Sequence, residues 1–269
     1  MQPNEDLLAG VLPTETPWAL VTGASKGIGQ GIAVGLAKRD WNVAIHYHHD
    51  LAGAQYTEAQ IKQVSRAETR LLSADVCSGA EVEAMFAKLA DELGGIDLLV
   101  NNAGVEVEAS FLELKEADWD RAVQTNLKGT FLCSQQAAHL MATGHGGMIV
   151  NIGSGAGTHA LPGHAADCAS KAGVEQLTKV CAVELGPRGV RVNCVIPGPT
   201  STERTRTEDP DFEATWSRLN PMRNVADVVD ISDAVCFLAS PQARFINGQT
   251  LTVDGGIWSQ VPWPFATSK

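Results

Sequence analysis

Trp18-Ala19-Leu20-Val21-Thr22-Gly23-Ala24-Ser25-Lys26-Gly27-Ile28-Gly29 decides the fold of this chain. An apolar run breaks at Thr22 into a turn with three glycines, and a helical pattern from Ile28 to Arg39 follows. A strand that ends in a Gly-rich turn and restarts as a helix brings bare backbone to a helix N-terminus, where a pyrophosphate binds. The turn by itself is also compatible with a plain tight turn. The strand before it and the helix after it carry the dinucleotide reading.

Outward from this unit the same alternation repeats. WNVAIHY (41–47) reads as a second strand, 52–67 as helix, LLSADV (71–76) as a third strand and 79–93 as a helix ended by Gly94-Gly95. IDLLVNNAG (96–104) reads as a fourth strand. A long helix over 117–142 carries Trp119, Val123, Leu127 and Phe131 as an apolar stripe. GGMIVNIGS (146–154) is a fifth strand. A helix over 165–185 carries Val174, Leu177, Cys181 and Leu185 and stops at Gly186-Pro187. VRVNCVIPG (190–198) is a sixth strand, 199–224 an irregular loop or small helices, 230–239 a helix and QTLTVDGG (249–256) a seventh strand. Seven strands alternating with helices predict an α/β chain: a single-domain, Rossmann-type doubly wound parallel sheet over 17–258. Residues 1–16 form an N-terminal extension and 259–269 a tail. Ligands of such sheets bind outside the carboxyl ends of the strands, so the loops after each strand are where chemistry is expected.

Composition agrees and narrows the function. The 269 residues carry 31 acidic and 20 basic side chains, a formal charge of −11, with 44% apolar residues. That balance argues against nucleic acid or an anionic membrane as the main partner. No apolar run is long enough to span a bilayer and the N-terminus lacks a secretory pattern, so a cytoplasmic location is expected. The six cysteines form no CxxC pair and are expected as reduced, mostly buried thiols; no metal site is expected from them.

With the motifs assembled, the chain resembles the short-chain dehydrogenase/reductase family, most of all its 3-oxoacyl-carrier-protein reductase and glucose dehydrogenase type members. The resemblance runs from about Pro17 to Trp258. Thr22 to Gly29 is similar to the family's TGxxxGxG fingerprint, which implies cofactor contacts from Gly23, Ser25, Lys26, Gly27, Ile28 and Gly29. Asp75-Val76 resembles the pair that touches adenine, and Asn101-Asn102-Ala103-Gly104 the NNAG motif. The resemblance further implies roles for Asn126, Ser154 and Lys171 at the reactive centre, for Lys171 on the ribose, for Pro197-Gly198 at the nicotinamide, and for Thr202 on its carboxamide. Strand two ends Ile45-His46-Tyr47-His48-His49, with no carboxylate before Asp50, and Lys26 supplies a cation. NAD-preferring sites place an acid there for the ribose 2′-hydroxyl. Tyr47, His48 and Lys26 therefore point to NADP, although the three histidines also read as exposed polar residues.

The family's proton donor is a Tyr four residues before the Lys, and this chain holds Asp167 in that place. The only tyrosines, Tyr47 and Tyr56, fall near strand two. Asp is shorter than Tyr by most of a ring, so a water would have to fill the gap. Keeping a carboxyl protonated at pH 7 costs about 4 kcal/mol, and a Lys four residues on favours the ionised form. Asp167 therefore reads as a base or as a salt-bridge partner of Lys171. Three alternatives follow. The chain is a reductase of a small carbonyl or alcohol with an atypical Ser-Asp-Lys centre, its proton supplied by His164, His159 or a water on Asp167. It is an NADP-binding, redox-inactive homologue or supporting subunit. Or Asp167 is an engineered Tyr-to-Asp change in an ordinary reductase. Cys168 reads as an inert thiol before a nucleophile. Arg204, Arg206 and Arg218 would suit an anionic substrate or a solvated lid equally. Trp258, Trp263 and Phe265 are expected to bury against the domain or a neighbour. The resemblance implies a homotetramer built through the 117–142 and 165–185 helices and the last strand.

Overall fold

The computed structural model describes residues 16–260. One parallel sheet of seven strands has the order β3-β2-β1-β4-β5-β6-β9, where β1 is Trp18–Val21, β2 Asn42–Tyr47, β3 Thr69–Ser73, β4 Leu98–Asn101, β5 Gly147–Ile152, β6 Val190–Pro197 and β9 Thr250–Val253. A short parallel pair, β7 (Thr200–Ser201) with β8 (Ala226–Asp227), lies apart from it. The strand order reverses between β1 and β4, which opens a crevice at their carboxyl ends.

Helices cover both faces. Helices α1 (Gly27–Ala37) and α9 (Val228–Ala239) pack with Val21, Ile32, Leu36, Ile45, Val100, Val150 and Val235. On the other face, Leu20, Phe86, Leu99, Ile149 and Val192 are buried with helices α3 (Gly79–Leu93) and α5 (Gly129–Thr143). Neighbours in one strand, such as Leu20 and Val21, go to opposite cores, as period-two side chains in a doubly covered sheet must. Each fully buried aliphatic contributes about 1.5–3 kcal/mol, so the two faces together hold the sheet rigid beneath the strand-end loops.

The helix ends are set locally. Asp50 caps α2 (Leu51–Val64) by accepting from Gly53 N, and Ser78 caps α3 by accepting from Glu81 N. Gly94, at φ +75°, ends α3 in the left-handed region. Helix α6 (Ala165–Leu185) stops where expected, but by a tight turn over Gly186–Arg188 that closes on Gly189 at φ +75°.

Two expectations shift. The 117–142 helix is α4 (Glu116–Val123) and α5 joined by a π turn, Gln124–Lys128, and the stripe is not its buried face. Trp119 and Phe131 are exposed, and Ala122, Asn126, Thr130, Cys133 and Ala137 pack inward instead. The extra residue in the π turn aims Asn126 at the interior, and such turns recur at functional sites. Strand three begins at Thr69 and ends at Ser73, before the Asp75-Val76 pair. Of the two forms expected for 199–224, the segment takes the small helices, α7 (Glu203–Glu208) and α8 (Phe212–Leu219). Trp258 packs edge-on to Trp216 and stacks with His159, as the burial expectation required; Trp263 and Phe265 lie outside the described residues. Among the described residues no helix is long and apolar enough to cross a membrane.

Candidate active site

The Gly-rich turn is braced from three sides. Thr22 Oγ1 accepts from Asn102 N at 2.9 Å and Ala103 N at 3.0 Å, and Asn102 Nδ2 donates to Thr22 O and Gly23 O. This ties the end of β1 to the Asn101–Gly104 loop after β4. Gly23 has φ +62° and Gly27 φ +58°, and a Cβ on Gly29 would lie 2.4 Å from both Asn102 Nδ2 and Gly23 O. Only glycine allows this approach. Helix α1 opens with no side-chain cap, unlike α2 and α3, and has no acidic residue in its first turn. Its first N–H groups are thus left for an anion. Lys26 is exposed beside them, next to buried Ser25, and Ile28 packs on the core.

At the end of β2, Tyr47 is half-buried and His48 exposed. Asp50, the first carboxylate after the strand, is spent capping α2. Asp75 accepts from Cys77 N at 2.9 Å, which holds its carboxyl below the ordinary value, and Val76 is buried against Gly129. Gly104 faces Asn126, and Gly198 sits against Asp254. Thr202 caps α7, and its methyl group stands over Gly27, so the segment after β6 lies across the turn.

The reactive cluster stands at the ends of β4 and β5. Asn126, 1% exposed, accepts from Val105 N at 2.8 Å and donates to Val105 O at 2.9 Å, Asp167 Oδ1 at 3.0 Å and Ser170 Oγ at 3.2 Å. Lys171 Nζ donates to Ile152 O at 2.8 Å, just below Ser154. Ser154 Oγ accepts from Ala156 N at 3.2 Å, and its hydroxyl proton is left for another acceptor. The expected Asp167–Lys171 salt bridge is not formed: Asp167 turns to Asn126 and Lys171 to the β5 backbone. Nor does Lys171 set the charge of Asp167. Burial raises the Asp167 pKa above the ordinary carboxylate value, with Lys171 opposing; burial likewise holds Lys171 below the ordinary lysine value.

Several functional residues escaped the sequence. His46 is 2% exposed, not an exposed polar residue; its Nδ1 accepts from Gly23 N at 3.1 Å and its Nε2 faces Ala74 O at 3.0 Å. Burial holds its pKa down at about 4, so it stays neutral and locks the turn to the ends of β2 and β3. A lone histidine inside an otherwise apolar buried strand was the available signal. Glu106, two residues past Gly104, was also missed. Its Oε1 lies 3.8 Å from His164 Nδ1 and its Oε2 accepts from Arg204 at 2.9 Å. Arg204 and Arg206 thus pair with acids of the chain, Glu106 and Glu213. His159 is engaged by Thr158 and Trp258. The described cysteines are free thiols; burial pushes Cys133 and Cys194 up to about 12, and half-buried Cys168 points at His159 O.

A switch-point crevice with a glycine cradle on one side and a Ser-Asn-Lys cluster on the other defines a dinucleotide-linked oxidoreductase site. Residues 23–258 match the family model described as enoyl-(acyl carrier protein) reductase. The 3-oxoacyl-(acyl-carrier-protein) reductase of Staphylococcus epidermidis is 40% identical over 242 residues, covering 89% of this chain and 98% of the relative. A short-chain type dehydrogenase/reductase of Picea abies is 35% identical over 247 residues, covering 88% and 91%. The structure of a gluconate 5-dehydrogenase from Burkholderia cenocepacia in complex with NADP and tartrate superposes with TM-score 0.86 at 32% identity, covering 95% of this chain and 99% of that one. The chain belongs to the short-chain dehydrogenase/reductase family, and its fold is the family's.

Proposed function

We propose that this chain is an NADP-dependent oxidoreductase of a small carbonyl or alcohol, working through an atypical centre of Asn126, Ser154, Asp167 and Lys171. The observation that carries the reading is the buried hydrogen-bonded hub at Asn126, which joins Val105, Asp167 and Ser170 in the crevice beside the glycine cradle. A chain that had only to hold a nucleotide would not need that buried hub, with its desolvated lysine and carboxylate. The cradle fits the cofactor: Gly23, Gly27 and Gly29 admit a pyrophosphate, and the open α1 N-terminus meets its charge. Lys26 and His48, with Asp50 turned away, suit a 2′-phosphate. Asp75-Val76 would meet the adenine, Asn102 to Gly104 the central part, and Lys171, Pro197, Gly198 and Thr202 the nicotinamide end.

Bound NADPH supplies hydride. The residues here position the reaction: the Ser154 hydroxyl donates a hydrogen bond to the substrate oxygen, Asn126 fixes Asp167 and the Val105 backbone, and Asp167 accepts from a water in the space a longer side chain would fill, through which the proton for the substrate oxygen arrives. The test is NADPH oxidation against a panel of carbonyls by this chain, Asp167→Ala and Asp167→Tyr. Turnover by the parent chain, with a loss of about 100-fold in Asp167→Ala, supports the reading. Turnover by Asp167→Tyr alone overturns it. NADH binding tighter than NADPH reverses the cofactor assignment.

A second reading, a redox-inactive NADP-binding homologue, draws on Asp167 Oδ1 being taken by Asn126 and on the remoteness of Tyr47 and of Tyr56, which is 60% exposed. The same experiment separates the two. A homotetramer in the cytoplasm completes the proposal. It is supported by the apolar groups left open on α4 to α6, Trp119, Phe131 and Val183, and by Phe245 and Leu251 near β9. A monomeric mass in light scattering would contradict it.

A further inference from the structure

We propose that His164, oriented by Glu106, is the proton donor that completes this centre; the inference rests on the reductase reading above. Adding hydride to a carbonyl leaves an oxyanion that needs a proton. None of the four residues of the centre delivers it well. Ser154 is a weak acid. Asn126 has no labile proton to give. Lys171 gives one of its three ammonium hydrogens to Ile152 O and, in the reading above, turns the others to the nicotinamide end of the cofactor, and an ionised Asp167 accepts hydrogen bonds but donates none. His164 is the residue that precedes α6, three positions before Asp167. Single donor atoms of Glu106, His164 and Asp167 all lie within 4.8 Å of one another.

A carboxylate stands beside the ring. Glu106 Oε1 lies 3.8 Å from Nδ1, within ion-pair range though longer than a hydrogen bond, and in the proposed step Nε2 is the nitrogen that gives the proton. Arg204 holds the other oxygen of Glu106 at 2.9 Å and so fixes the carboxylate. His164 is 20% and Glu106 44% exposed at the side chain, open enough to exchange protons with solvent between turnovers. His159, the other nearby imidazole, lacks this carboxylate and stacks with Trp258. The same three side chains are donor types that also bind divalent cations. Arg204 already pairs with the second oxygen of Glu106, so that carboxylate is not free to clasp a divalent cation with both oxygens.

The step balances as follows. The carbonyl carbon accepts the hydride supplied by NADPH, so the carbonyl is reduced and the nucleotide oxidised. The C=O π pair moves to oxygen. That oxygen takes a proton from a water held at Asp167, and the water is made good by Nε2–H of the His164 imidazolium. The neutral ring keeps its Nδ1–H toward Glu106 until solvent returns the proton.

The experiment combines kinetics with histidine nitrogen NMR on the full chain. His164→Ala is expected to lower kcat about 100-fold with NADPH affinity unchanged, and added imidazole to restore part of the rate. The His164 ring is expected in the Nδ1–H tautomer when neutral and to lose that preference in Glu106→Gln. Retention of kcat within about threefold in both variants overturns the proposal, as does an unchanged tautomer in Glu106→Gln. Activity lost to a chelator and returned by zinc also overturns it, in favour of a metal centre. If His164→Ala fails to fold, Glu106→Gln and the tautomer decide. Absence of turnover in the parent chain, with NADPH bound, is a separate result: the reductase reading fails and takes this proposal with it.

Discussion

The two sides of the crevice are built on opposite principles. The nucleotide side is mostly backbone: Gly23, Gly27, Gly29, the open α1 N-terminus, and the Thr22 and Asn102 bonds that brace them. The reactive side is side chain on side chain, with Asn126 serving Val105, Asp167 and Ser170 at once. Backbone geometry tolerates changes of side chain so long as glycines stay. A side-chain network changes its chemistry with one residue, and in the proposed centre Asp167 is that residue.

The strongest way to break this contrast is Gly29→Val. Any Cβ there collides with Gly23 O and Asn102 Nδ2, and such overpacking costs about 3 kcal/mol. NADPH affinity is expected to fall more than about 100-fold, since about 1.4 kcal/mol is tenfold. Asp167→Ala should leave nucleotide affinity nearly unchanged. Equal losses in a fluorescence titration would show that the two sides are not independent.

A second prediction concerns how the nucleotide side is locked. His46 has its folded-state pKa lowered from 6.5 to about 4 by burial. Between those values the unfolded chain binds more protons, so stability present above pH 6.5 is lost as pH falls through about 4. The full loss is about 3 kcal/mol at 1.36 per unit. Urea unfolding from pH 7 to pH 4 should show it in the parent chain. A His46→Gln variant that loses just as much would refute the assignment.

The smallest effect sharpens the reactive side. Burial raises the folded-state pKa of Asp167, so at neutral pH the folded chain bears the cost of an ionised buried carboxylate. That cost is relieved as pH falls through the raised value toward the ordinary carboxylate range. Asp167→Asn should be the more stable at pH 7, and the gap should narrow on acidification. A constant gap from pH 7 to pH 4 would mean that Asp167 titrates normally and that Lys171 governs it after all.

The sequence was legible where local chemistry decides. The Trp18–Gly29 unit and the alternation of strands with helices are each readable from neighbours in the chain, and the doubly wound sheet follows from them. The exposed stripe on α4 and α5 misled because a four-residue spacing marks one face of a helix without saying what lies against it. The π turn then rotated Asn126 inward, which no spacing rule shows.

The sequence by itself determined the doubly wound fold, the glycine-rich turn between β1 and α1, and the presence of Asp167 four residues before Lys171. All three are properties of short segments or of one position. Only the tertiary structure decided the partners of that position. Asp167 stands beside Asn126, His164 and Glu106, and without an ion pair to Lys171, because strand-end loops far apart in the chain meet at one crevice. Burial there outweighs the neighbouring charge, and burial is a property of the packed molecule that no local spacing contains.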